Sequence, residues 1–287
     1  MANLRDIRRR IKSVKNTSQI TRAMQLVAAS KMKRAQDSAT AGQPYAELLA
    51  RIMGPVARGI VGFSHPFLDE RLVSTRGIIV VSTDKGLCGG LNANLFRELP
   101  AKTESVKYIT VGRKAAQFVS RTGRSLVADF TISDSLTFTE VKAVIEYGIN
   151  AYLEGAVDTV EVLFPHFVNT LRQDPRLVPL LPLTSIEDAL KSLGIEGEEK
   201  DERELNFEPD IETILSQLLP LYVRREFFSI VREAKASEHS ARMVAMKAAT
   251  DNANNLVDSL TLDYNKARQA AITQEILEIA AATASNA

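Results

Sequence analysis

Glycine and proline are missing from both ends of this 287-residue chain: all 14 glycines and all 10 prolines lie between Gly42 and Pro220. Inside a helix Gly costs about 1 kcal/mol and Pro about 3 kcal/mol, so residues 1–41 and 221–287 can form uninterrupted helix. At about 1.5 Å rise per residue, such helices reach roughly 60 Å and roughly 100 Å. Tryptophan is absent. Cysteine occurs once, at Cys88, which excludes an internal disulfide and fits a reducing compartment. No stretch approaches the roughly 18 consecutive apolar residues of a membrane span. The start, MANLRDIRRR, has neither the apolar core of a secretory signal nor the Ser-rich, acid-free look of a transit peptide. Long helices at both ends invite pairing with each other around an inserted compact domain, the layout of a shaft.

The formal net charge is only +1, but it is unevenly spread. Residues 1–41 carry ten basic and two acidic side chains, a balance of +8, whereas residues 42–220 are acidic at −7 and residues 221–287 are neutral. A basic helix suits nucleic acid, an anionic membrane or an acidic protein partner, or is simply a solvated face.

Leu4, Ile7, Ile11 and Val14 follow the 3-4-3 spacing of a coiled-coil seam. The next heptad positions are Ser18, Thr21 and Gln25, and apolar residues resume out of register at Ile20, Met24 and Val27, which predicts a seam that shifts around the helix. Gly42 and Pro44 supply a stop. The middle changes period. Gly77–Ser82, Tyr108–Val111, Val160–Phe164 and Leu177–Leu183 read as strands, separated by helical stretches at Arg113–Arg121 and Thr139–Leu153. That alternation predicts an α/β domain with a largely parallel sheet. Glu196–Glu204 reads as a charged surface loop, and Pro220 as a break or kink before the final helix. Three domains are expected: a helix over 1–60, an α/β domain over 76–184 and a helix over 209–287.

Chemistry is sparse. The first strand runs into Thr83-Asp-Lys-Gly-Leu-Cys-Gly-Gly-Leu-Asn92 and then a short helix, the layout that cradles phosphate. Its glycines are spaced G-x-x-G-G, however, and no Lys followed by Ser or Thr stands there, so a tight turn is the favoured reading. His65, His166 and His239 fall at no metal-ligand spacing. Cys88 reads as a small buried hydrophobe. No catalytic, cofactor-binding or metal-binding residue is expected.

The remaining motifs point to one family. Arg9-Arg-Ile-Lys-Ser-Val-Lys-Asn-Thr17, Ile20-Thr-Arg-Ala-Met24 and Val27-Ala-Ala-Ser-Lys31 resemble the start of the gamma subunit of F-type ATP synthases of the bacterial kind. Ser82–Asn92 resembles that family's central loop. Ser240–Ala253 and Tyr264–Glu275 resemble its C-terminal helix. The resemblance spans nearly the whole chain. It implies an antiparallel coiled coil of the terminal helices with an inserted Rossmann-like α/β domain. It further implies the central rotor shaft of the proton-translocating F1Fo ATP synthase. The implied partners are the alpha3-beta3 ring, the epsilon subunit and the c-ring, with peripheral association at the cytoplasmic face of the bacterial inner membrane. Lys31, Arg34 and Lys85 match basic positions that meet an acidic loop of beta. Arg268 and Gln269 match positions that hydrogen-bond a loop near the catalytic interface, and Met24 sits where the two helices meet. Lys85 departs from the Arg of many members, and the C-terminus lacks the family's glycine pair. The alternative class is a basic coiled-coil protein binding nucleic acid through residues 1–41. That segment offers no aromatic side chain for base stacking.

Overall fold

The computed structural model describes residues 4–41, 48, 65–69, 71–101, 105–183 and 210–285. Gly42, Pro44, the 196–204 segment and the expected domain limits at residues 60, 184 and 209 lie outside them. Among the described residues ten elements follow in chain order. Helix α1 (Leu4–Ala41) precedes β1 (Arg76–Val81), α2 (Leu91–Arg97), β2 (Val106–Val111), α3 (Arg113–Arg121) and β3 (Ser125–Phe130). Helix α4 (Phe138–Leu153), β4 (Thr159–Phe167), β5 (Gln173–Leu181) and α5 (Ile211–Ser285) complete the chain. They form two compact units: residues 30–241, and residues 1–29 with 242–287.

The larger unit is built on a five-stranded sheet of order β3-β2-β1-β4-β5. Strand β1 pairs in parallel with β2 and β4, β2 in parallel with β3, and β5 returns antiparallel to β4. Both faces are covered, which explains why β1 reads as an unbroken apolar run. Alternate side chains serve opposite cores. Ile78, Val80 and Tyr108 pack with Leu95 of α2 and with Ala115 and Val119 of α3. Ile79, Val81, Ile109 and Val111 pack with Val141, Val144 and Ile145 of α4 and with Leu215, Leu219, Val223, Phe227 and Val231 of α5. A capping box starts α4: Glu140 N–H donates to the Thr137 hydroxyl, and Thr137 N–H donates to the Glu140 carboxylate.

Three expectations need correction here. Strand β3 was not read from the sequence. It is an edge strand whose residues alternate between exposed and half-buried, so its apolar signal is thin. Strand β5 begins at Gln173 rather than Leu177 and runs through Pro175 and Pro179. Prolines are tolerated there because β5 is an edge strand. Pro220 does not end the helix, which is continuous from Ile211 to Ser285. Leu215, Leu219 and Val223 around it are fully buried, and their packing offsets the lost hydrogen bond.

In the smaller unit α1 and α5 run antiparallel. The Thr21 and Thr250 hydroxyls meet at 2.7 Å, and the Ser18 hydroxyl donates to Asn254 Oδ1 at 2.7 Å. The α1 seam does not shift. Buried and half-buried positions continue the first heptads through Ser18, Thr21, Gln25 and Ala28, while Ile20 (60% exposed) and Val27 (56%) face solvent. Met246, Thr250, Ala253, Val257, Leu260, Tyr264, Ala267 and Ala271 form the facing heptad on α5. Small and hydroxylated residues share the seam with larger apolar ones; one of the two threonines donates to the other, which donates in turn to a carbonyl of its own helix.

Gly112, between β2 and α3, has φ 95°, and a Cβ there would lie 2.5 Å from the Ser82 carbonyl oxygen. Gly112→Ala should therefore destabilise the chain by more than about 2 kcal/mol. Thermal or denaturant unfolding of the variant checks this, and an unchanged midpoint contradicts it.

Candidate partner-contact site

Parallel strands send their following loops to one edge of the sheet. Here those loops are 82–90 after β1 and 131–137 after β3, joined by the 168–172 turn after β4. Lys31 of α1 reaches this edge. Its ammonium donates to Asp134 Oδ2 at 2.5 Å. Asp134 Oδ1 lies 3.9 Å from Lys235 Nζ of α5, which in turn lies 3.6 Å from Glu238 and donates to the Ile132 carbonyl at 3.5 Å. Lys235 and Glu238 are buried. The hydrogen bond from Lys31 holds the Asp134 carboxyl below the usual carboxylate range, and the charges of Lys31, Lys235 and His239 act in the same direction against partial burial. One turn further along α1, exposed Arg34 donates to Ser30 Oγ at 3.4 Å.

Lys85 is exposed on a loop that its own side chains brace. The Thr83 hydroxyl donates to the Lys85 carbonyl at 2.7 Å, and Asn92 Nδ2 donates to the Thr83 hydroxyl at 2.8 Å. Cys88 and Leu91 are buried against Ala241 of α5, so the cysteine is the small apolar filler the sequence suggested. The first amides of α3 are already engaged. Arg113 N–H donates to Asp84 Oδ1, Lys114 N–H to the Thr83 carbonyl and Ala115 N–H to Ser82 Oγ. A carboxylate seated at that helix start repels a phosphate rather than holding one.

The other three positions lie in the smaller unit. Met24 is half-buried beside the seam, next to Gln25. Arg268 and Gln269 are exposed, while Tyr264, Ala267 and Ala271 around them are half-buried in it. The register set by Ser18 and Asn254 places Leu4 opposite about residue 268, where pairing of the described residues runs out. From Ile272 to Ala281 every side chain is exposed, among them Ile272, Ile276, Leu277 and Ile279.

The structure thus gathers Lys31 and Lys85 on loops and helices at one sheet edge and leaves Met24, Arg268 and Gln269 on the paired helices. Sequence reasoning missed Asp134, the carboxylate that Lys31 meets, because 103 positions separate the two and nothing local marks the pair.

A sequence profile described as ATP synthase matches residues 3–285. The ATP synthase gamma chain of Opitutus terrae is 56% identical over 288 aligned positions, covering 98% of each chain. The chain belongs to the ATP synthase gamma chain family. The gamma chain of Akkermansia muciniphila is 45% identical, again over 98% of each chain. Among solved structures, a chain of the Euglena gracilis mitochondrial ATP synthase (OSCP/F1/c-ring, rotational state 3) has the same fold. It gives a TM-score of 0.67 at 19% identity, covering 98% of this chain and 94% of that one. A chain from the central stalk and c-ring of the Tetrahymena thermophila mitochondrial enzyme gives 0.58 at 23% identity, with 80% and 99% covered. The family resemblance read from the motifs and the helix-plus-sheet fold class stand; the nucleic-acid alternative finds no support in these matches.

A group whose pKa is lowered in the folded chain contributes stability above its unfolded pKa and loses it as pH falls through the folded value. The Lys31–Asp134 tether should therefore be intact at neutral pH and lost only below the ordinary Asp value of about 3.9. Carbon-detected NMR titration of the Asp134 carboxyl should give a midpoint below that value, and Lys31→Gln should move the midpoint up.

Proposed function

We propose that the chain is the central rotor subunit of a proton-translocating ATP synthase, turning between a membrane-embedded c-ring and an alpha3-beta3 ring with epsilon bound beside it. The full-length 56% identity to a gamma chain carries this reading. The chain itself is non-catalytic. The glycine loop lacks the lysine that meets phosphate, and Asp84 and Ser82 fill the start of α3. It associates peripherally with the cytoplasmic face of the bacterial inner membrane, in keeping with the absence, among the described residues, of a helix long and apolar enough to cross one.

A single asymmetric rotor cannot meet three identical catalytic subunits equivalently. Each orientation therefore favours a different conformation in each beta subunit, and only a difference in contact free energy shifts such an equilibrium. Lys31, Arg34 and Lys85 supply charge toward an acidic loop of beta. Arg268 and Gln269 hydrogen-bond a loop near the catalytic interface in some rotary positions, and Met24 sits where the two helices meet, near the contact with beta. Proton flow through the c-ring turns the subunit and drives synthesis; hydrolysis turns it back.

Replacing Arg268→Leu with Gln269→Leu removes charge-assisted hydrogen bonds of about 1.5–3 kcal/mol each while leaving the seam residues untouched. Steady-state ATP hydrolysis by reconstituted alpha, beta and the double variant should fall roughly tenfold, the factor that about 1.4 kcal/mol of differential contact produces. Normal turnover in a complex of correct size refutes the assignment. Calorimetric titration of the chain with Mg-ATP should show no saturable micromolar site.

A further inference from the structure

The larger unit grips α5 through apolar packing, which has no direction, and through polar bonds, which do. Arg224 Nε donates to Glu146 Oε1 of α4 at 2.5 Å, Lys235 Nζ lies 3.9 Å from Asp134, and the Ser240 hydroxyl donates to the Thr170 carbonyl at 2.7 Å. Another of these bonds is made by Glu233. Its Oε1 accepts from the Phe167 N–H at 2.9 Å and also meets Nδ1 of His166, at the end of β4. Both side chains are half-buried, and that ring nitrogen is shut off from solvent.

The β4–β5 ladder sets what else the ring faces. His166 stands opposite Asp174, and strand alternation puts it on the side of Phe164, which packs in the core shared with α5. The Phe164 and His166 rings meet edge to face, with centroids 6.4 Å apart. The Arg172 hydrogen bond holds the Asp174 carboxyl below the usual carboxylate range against desolvation, and the charges of Arg172 and His166 act in the same direction. Arg176, two residues further along β5, is exposed. On α5, Glu226 lies about two turns before Glu233. Burial pushes its carboxyl up, Arg225 opposes this, and the charge of Glu233 adds to it. His239, further along α5, acts on Asp134.

Histidine changes charge between about pH 5 and 8. With the ring protonated, Nδ1 donates a charge-assisted hydrogen bond to Glu233, roughly twice as strong as a neutral one, and Asp174 supplies a second carboxylate across the ladder. With the ring neutral, the bond loses its charge. If the remaining proton sits on Nε2, a nitrogen lone pair faces a carboxylate oxygen and no bond forms. We propose that His166 is a proton-operated catch between the β4–β5 hairpin and α5: charged, it locks the hairpin end to Glu233; neutral, it lets that end open. Glu233 and Ser240 lie in the last turns of α5 within the larger unit, which ends at Ala241. The catch therefore sets how firmly the unit holds the helix just before the helix leaves it. The proposal stands on this geometry and does not need the rotor reading; on that reading, the link between the sheet and the rotor's long helix stiffens as the medium acidifies.

The test is hydrogen exchange of the full chain in the assembly in which it purifies, read by mass spectrometry on peptides covering residues 164–173 and corrected for the pH dependence of intrinsic exchange. Protection there should fall about tenfold between about pH 5.5 and about pH 8. His166→Lys keeps its charge throughout and should hold the acid level of protection at both values. His166→Gln should show the alkaline level at both. Glu233→Gln, which retains the ring, should also flatten the profile, whereas Glu226→Gln should leave it steep. Peptides from α4 and from residues 246–271 should exchange alike in every variant, which separates release of the hairpin from general unfolding. A flat wild-type profile, an equally steep one in His166→Lys, or loss of the steepness in Glu226→Gln refutes the proposal.

Discussion

One helix, Ile211–Ser285, must bury two different stripes along its length. Over residues 215–234 its apolar side chains are large, and they close one face of the sheet with α4. Over residues 246–271 the buried and half-buried positions follow a heptad in which Ala and Thr share the stripe equally with larger residues. A helix that serves both environments cannot tolerate a break between them. That accounts for the absence of glycine throughout, and for a proline only at position 220, where fully buried neighbours hold the helix on both sides.

The two cores are specified differently. In the α/β unit, specificity comes from volume: Ile79, Ile145, Leu219 and Phe227 are fully buried and interlock. In the paired helices it comes from hydrogen bonding. The Thr21–Thr250 contact and the Ser18–Asn254 bond reward one register and leave polar groups unsatisfied in others. The apolar residues released from the seam, Ile20 and Val27, are turned outward instead. A helix pair whose register is set by small polar residues among apolar seam positions, with Ile20 and Val27 outside, suits a subunit that works inside a ring of partners.

Charge at the sheet edge follows the same economy. Asp134 holds Lys31 and lies near Lys235, and Lys235 is shared with Glu238 in a buried setting where an unmatched charge would be costly. Asp84 serves the start of α3 rather than a ligand. The acidic excess of the middle segment is thereby spent partly on internal contacts, while the basic side chains of α1 remain largely at the surface.

Much of this was legible in the residues themselves. Backbone chemistry is local, so the confinement of glycine and proline to the middle announced both long helices. The β-branched runs at 77–82 and 160–164 announced central strands, and α3 matches its expected limits, Arg113–Arg121. The family motifs named the candidate contacts. The strand at Ser125–Phe130 was not legible, because an edge strand is stabilised by hydrogen bonds to β2 rather than by its own apolar content. The seam through Ser18, Thr21 and Gln25 was misread for a related reason: polarity at a helix interface is acceptable only when a partner on the other helix satisfies it, and that partner is more than two hundred residues away. The meeting of Lys31 with Asp134, and of Cys88 and Leu91 with Ala241, likewise depended on tertiary packing. Local propensity determined which segments are helix and strand; which side chains meet was decided by tertiary packing, because contact between distant residues has no local signature.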